Sequence, residues 1–155
     1  GLTRRAVLES GAAWAAVAAL LGGSARAEQA AKDDPPGDLV RRLEKVEPQK
    51  FGWGWIRWMM NGEVDSRAEM TLGIVHIEPN QSSPPHIHPN SAEYLYVLEG
   101  SCEHRLGGRW MAMKAGDMLR IPKDVPHCAR TKTQSCLALI VYDTPKRQMV
   151  SLGEK

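Results

Sequence analysis

Three histidines and one glutamate are the residues of this chain best placed to do chemistry. His86 and His88 stand one residue apart in Pro84-Pro85-His86-Ile87-His88-Pro89. In an extended chain, positions i and i+2 point to the same side, so both imidazoles face one way. Glu93 opens the next apolar run after a turn rich in Pro, Asn and Ser, and His127 follows 34 residues later in Asp124-Val125-Pro126-His127. Imidazoles plus a carboxylate are ligands that first-row metals such as Fe, Mn, Ni, Co or Zn accept. The flanking prolines lower the entropy lost in holding such ligands ready. The plain alternative is a set of unrelated polar loop residues.

The elements that must position these side chains read as short strands. Residues 51 to 60 and 68 to 77 flank Asn61-Gly62, a hairpin signal. Further runs cover 93 to 98, 102 to 106, 109 to 113, 118 to 121, 127 to 131 and 135 to 142, with Gly107-Gly108 and Gly116-Asp117 as turns. Many short strands, closely spaced, predict an all-β sandwich or barrel. Before them, Asp38 is placed to cap a short helix with Leu39, Val40, Leu43 and Val46 at helical spacing, ended by Pro48.

The spacing of the four residues is similar to that of a known family. His86-x-His88-x4-Glu93-x6-Gly100 resembles the first cupin motif, and Gly116-x5-Pro122-x-Asp124-x2-His127 resembles the second. The resemblance covers roughly residues 50 to 142. Three positions depart from it: Asn80 for a leading Gly, Asp124 for a Gly in the second motif, and Thr131 for a trailing Asn. Asn and Asp tolerate left-handed backbone best among non-glycine residues, so the first two keep the turn chemistry. None of the three is a ligand position. The resemblance implies a double-stranded β-helix, the cupin jelly-roll barrel, holding one divalent first-row metal through His86, His88, Glu93 and His127. Fe or Mn is favoured, with Ni, Co and Zn as alternatives. It also implies a homodimer paired through sheet faces.

Residues 1 to 27 read as an address. Thr3-Arg4-Arg5 precedes a short Ala-rich apolar stretch and the Ala25-Arg26-Ala27 site, the layout of a secretory signal. The paired arginines resemble a twin-arginine signal, although Val7 and Glu9 depart from its preferred residues. The chain is thus expected to be exported, to the periplasm in a bacterium, with no stable membrane insertion once the signal is removed. The division that follows is a signal at 1–27, a linker and short helix at 28–48, the barrel at 49–145 and a C-terminal tail at 146–155. The formal charge of +2 comes from 20 basic and 18 acidic residues, and the signal carries Arg4, Arg5 and Arg26 against Glu9. The mature domain is therefore formally neutral, which argues against a nucleic-acid partner. No phosphate-binding Gly loop, nucleophile elbow or aromatic-basic stripe is present.

Strand parity sorts the remaining candidates. If Glu93 points inward, so do Leu95 and Val97, while Tyr94, Tyr96 and Leu98 face out. An inward His127 turns Cys128 outward, making it a poor ligand. Cys128 and Cys136 face each other if their runs form a hairpin centred on Lys132, which would permit a disulfide; buried free thiols, Cys102 included, are the other option. Phe51, Trp53, Trp55 and Arg57 share one face, read first as core or subunit seam and second as a pocket mouth with Arg57 gripping a carboxylate. His76 reads as a core or rim residue and His104, between Glu103 and Arg105, as a solvated strand residue.

Four protein ligands on an octahedral metal leave two adjacent positions for O2 plus a substrate oxygen, or for a bidentate carboxylate, enolate or diol. The expected partner is a small molecule. Oxygenase or decarboxylase chemistry ranks first, with isomerase or lyase chemistry close behind; the alternative is a binding module without turnover. No acid or base beyond the ligands is identifiable from the sequence.

Overall fold

The computed structural model describes residues 40–153. The expected signal at 1–27 and residues 28–39 of the linker and helix lie outside them. In the described part of that helix, the chain makes only a 3-10 turn, Leu43–Lys45. It starts from an extended Arg42 with no side-chain cap and buries none of its residues. Among the described residues no helix is long and apolar enough to cross a membrane.

Ten strands follow: β1 Gln49–Phe51, β2 Gly54–Met60, β3 Thr71–Ile77, β4 His86–Ile87, β5 Glu93–Leu106, β6 Arg109–Lys114, β7 Met118–Ile121, β8 His127–Arg130, β9 Cys136–Tyr142 and β10 Val150–Ser151. Every pairing is antiparallel. One sheet runs β1-β2-β3-β9-β5-β7, and the other joins β6, β5, β8, β4 and β10. The expected all-β jelly roll is what forms.

The two sheets share β5. Its first half pairs with β9 and β7, and its second half with β6 and β8. The register slips between Val97 and Glu99, and Gly100 follows with φ 72°. A Cβ there would sit 1.9 Å from the Ser135 carbonyl oxygen. Glycine is required on both counts.

The core lies between the sheets. β3 and β9 alternate strictly, burying Val75 and Ile77 from one, and Ala138, Ile140 and Tyr142 from the other. On β5, Glu93, Leu95 and Val97 point inward at 5%, 5% and 0% exposure, whereas Tyr96 and Leu98 are exposed. This is the expected parity.

Several local expectations are corrected. β2 and β3 do pair, but Asn61-Gly62 is not their two-residue turn. The Asn61 side chain accepts from the Glu63 and Val64 amides, opening a longer loop. The tight turn falls earlier, at Gly52-Trp53, where Phe51 pairs with Gly54. That turn breaks the aromatic run, so Phe51, Trp53, Trp55 and Arg57 do not share one face. Phe51 stacks on Trp53, while Trp55 stacks on His76 with Arg57 above it. Arg57 donates to the Leu43 carbonyl oxygen rather than gripping a pocket.

The expected Cys128–Cys136 hairpin does not form either. β8 and β9 lie in different sheets, so Cys128 pairs with Arg105 and Cys136 with Gly100. All three thiols are buried and free, and Cys136 neighbours Cys102 instead.

Candidate metal centre

His86 and His88 come from β4 and the residue just past it, pinned between β8 and β10. His86 pairs directly with His127, so strand register alone brings two of the expected ligands together. The left-handed Asp124, φ 62°, turns the chain toward His127, and its amide donates to the His88 carbonyl oxygen at 3.1 Å. Asn80 is also left-handed, φ 57°, as expected for a residue replacing glycine. Thr131 holds the same loop by donating to the Glu78 carbonyl oxygen.

The four expected side chains converge. One ligand atom from each of His86, His88, Glu93 and His127 lies within 4.8 Å of all the others. The His88 and His127 Nε2 atoms are 3.1 and 3.3 Å from Glu93 Oε2. His88, Glu93 and His127 are 2%, 5% and 3% exposed, while His86 is only half-buried and marks the open side.

The hydrogen bonds behind these rings decide what the cluster can hold. Each histidine turns Nδ1 to a backbone carbonyl: His86 to Pro84 at 2.8 Å, His88 to Gln148 at 2.7 Å, and His127 to Val125 at 2.8 Å. A carbonyl only accepts, so Nδ1 carries the proton and Nε2 of a neutral ring keeps its lone pair. The His88 and His127 Nε2 atoms and Glu93 Oε2 are buried with no hydrogen-bond partner. Lone pairs held about 3 Å from a carboxylate oxygen repel it unless a cation lies between them. This donor set therefore fits a divalent metal, with the carbonyls fixing ring orientation from behind.

Electrostatics agree. Burial works against the Glu93 charge, yet the close approach of the His127 and His88 rings outweighs it and holds the carboxyl below the usual range. Burial pushes His86 down to about 4, and repulsion from His127 adds to this. A neutral ring is the form that ligates metal.

Three contributors were not legible in advance. His104 is corrected from a solvated strand residue to a buried one, 3% exposed, its ring stacked 6.1 Å from His127. The slip at Val97/Glu99 reverses inward parity along β5, so Cys102 and His104 point in while Glu103 and Arg105 flank them outside. Burial pushes His104 down to about 4, and its Nδ1 has no partner. Tyr142 is paired with Glu93 in register and packs edge-on against His88 at 4.9 Å, and burial and the Glu93 charge push its phenol well up. The third contributor is the segment after Thr144, which supplies the Gln148 carbonyl and β10. Cys128 is buried, yet it is not part of the cluster. His76 sits on the outer face against Trp55, away from it.

A groove of about 1280 Å³ runs past His127, lined among others by Trp53, Pro84, Pro85, Arg105, Trp110 and Leu152.

A jelly roll whose strands bring three histidines and a glutamate together defines a site of metal-binding type. Residues 73–142 match the family model of the cupin domain. The chain is 26% identical over 111 residues to the polyketide synthase protein CurC of Streptomyces cyaneus, covering 72% of each. The structure resembles the polyketide cyclase RemF from Streptomyces resistomycificus, with TM-score 0.64 and 25% identity over 75% of this chain and 86% of that one. It also resembles Lactobacillus farciminis oxalate decarboxylase, with TM-score 0.67 and 24% identity over 81% of this chain. The match spans only 40% of the decarboxylase chain, and it speaks to fold alone.

Proposed function

We propose that this chain is a metal-dependent cupin enzyme acting on a small, oxygen-bearing molecule that chelates the metal. The observation that carries the reading is the convergence of buried, partnerless Nε2 and Oε2 atoms on one point, with every ring fixed from behind. His86, His88, Glu93 and His127 would hold the metal, with Fe or Mn favoured over Ni, Co and Zn. When bound, it would supply Lewis-acid activation, and Fe or Mn would add redox chemistry. Glu93 offsets part of the dication's charge. His86, the half-exposed ligand, marks the side from which a substrate would approach.

Oxygenase or decarboxylase chemistry ranks first and isomerase or lyase chemistry next, because one fold hosts many reactions. The polyketide relatives make enolisable polycarbonyls and phenols the first substrates to try, and dicarboxylates the second. Two further parts of the proposal rest on other residues. The Arg4-Arg5 segment supports export to the periplasm after folding. The outward Tyr96, Leu98 and Met118, at 41%, 40% and 64% exposure, support a homodimer paired through that sheet face.

Elemental analysis of protein purified from its native compartment, combined with oxygen-consumption and substrate screens, tests the reading. About one equivalent of Fe or Mn, turnover with at least one substrate, and loss of metal in soluble His88→Ala protein are expected. Full metal occupancy in His88→Ala would refute the ligand assignment. Metal retention and saturable binding without turnover would leave a binding module.

A further inference from the structure

The C-terminal segment is fastened to the metal centre more closely than a tail would be. Asn90 Nδ2 donates to the Lys146 carbonyl oxygen at 2.8 Å, and the Gln148 amide donates back to Asn90 Oδ1 at 2.9 Å. Both groups of one amide side chain are thus spent on the segment. Gln148 also presents its carbonyl oxygen, which accepts from His88 Nδ1 at 2.7 Å. Beyond it, Val150 and Ser151 pair with Ile87 and His86, and the Leu152 amide donates to the Pro85 carbonyl oxygen at 3.0 Å. His88 itself is 2% exposed, so no solvent is at hand to replace that carbonyl.

We propose that residues 146–152 form a strap that sets metal affinity, and that Asn90 is the positioning residue that seats it. Asn90 lies two residues past His88, in a turn, with its amide facing the strap. It cannot ligate metal from there, because both of its polar atoms are committed. Its effect runs through the Gln148 carbonyl, which fixes the proton of His88 on Nδ1 and leaves Nε2 free for the metal. Removing Asn90 loosens the carbonyl and lets His88 sample the other tautomer, which cannot ligate through Nε2. The strap also turns β4 from an edge strand into an interior one, holding His86 and His88 at fixed pitch. This inference rests on the metal-binding reading above.

The test uses the full chain as wild type, Asn90→Ala and Asn90→Asp. The Asp variant keeps the Oδ1 acceptor for the Gln148 amide and controls for loss of side-chain bulk. Manganese and zinc affinities are measured by chelator competition, and the His88 tautomer is read in metal-free protein by nitrogen-15 NMR. Asn90→Ala should weaken both metals by about tenfold, at the lower end of what outer partners of a ligand contribute. It should also broaden or shift the His88 pattern away from pure Nδ1–H, with Asn90→Asp lying between it and wild type. Wild-type affinity together with an unchanged His88 pattern in Asn90→Ala would overturn the strap's role. Wild-type protein that binds neither metal would instead overturn the metal-binding reading, so the two failures are distinct. Should Asn90→Ala fail to fold, the Asn90→Asp tautomer and affinity decide: no change in either sinks the proposal.

Discussion

The two sheets of this barrel solve different problems. In the sheet built on β3 and β9, two seven-residue strands pair along their whole length, and their inward positions carry small and apolar side chains closed by Tyr142. In the other sheet, β4 and β10 are two residues long and β8 is four. Its inward positions carry His86, His127 and His104. Short strands cannot hold ligands still by ladder bonds alone, so side chains and loop amides do much of the work. Asn90 seats the strap, Ser83 bonds the Ala129 amide and Asp143 bonds the Ala92 amide. The long-stranded sheet is stabilised by burial, whereas the short-stranded one is held by directed polar bonds. Glu93, paired with Tyr142 in the long-stranded sheet, is the one proposed ligand that this sheet supplies.

The sharpest way to break the contrast is at the junction. Gly100→Ala puts a methyl group on the Ser135 carbonyl oxygen and forces a left-handed alanine, so a loss on the order of 4 kcal/mol or more is expected. Denaturant unfolding of the variant measures it, and a stability loss below a quarter of that would contradict the shared-strand account. Next is Ile140→Ala, in the apolar sheet, expected to cost about 3 kcal/mol while leaving metal stoichiometry unchanged. Loss of stoichiometric metal in folded Ile140→Ala protein would show that the sheets are not separable.

A smaller effect comes from pH. His104 is held at about 4 by burial, against an unfolded histidine near 6.5. Between those values the unfolded chain takes up a proton that the folded ring refuses. Stability is therefore complete above about pH 6.5 and falls as pH drops toward 4, by roughly 2–3 kcal/mol from this ring. His86 is displaced in the same direction. Glu93, whose carboxyl is held low, adds a loss in the same sense at still lower pH. Replacing His104 with Phe should flatten the acid limb of the melting temperature of metal-free protein. An unaltered acid limb would mean that His104 is not the buried neutral ring described here.

The ligand set was legible because its signal is local: a His-x-His pair, a carboxylate five residues on, and a Pro-stiffened turn before His127. The parity of Glu93, Leu95 and Val97 followed from alternation within one run. What escaped notice depends on distant pairing. The inward turn of His104 hangs on one register slip at Val97/Glu99, which reverses every side chain beyond it. The cysteine pairing failed because β8 and β9, adjacent in sequence, enter different sheets. The Gln148 contribution had no side-chain signature, since a backbone carbonyl makes the bond. Asn61-Gly62 marked a turn correctly but not its length, because the Asn61 side chain took the amides that a tight hairpin would leave free.

β5 has a mechanical consequence. His104 lies eleven positions past Glu93, which in a straight strand would place them about 36 Å apart. Both nevertheless sit against His127, at 3.3 Å and 6.1 Å. The strand must therefore curl round the site like a hoop, closed by bonds on both edges. Prising the sheets apart would mean straightening that hoop. Room for a bulky guest has to come from the groove past His127 instead, lined by Pro84, Pro85 and Leu152, while the hoop keeps its diameter.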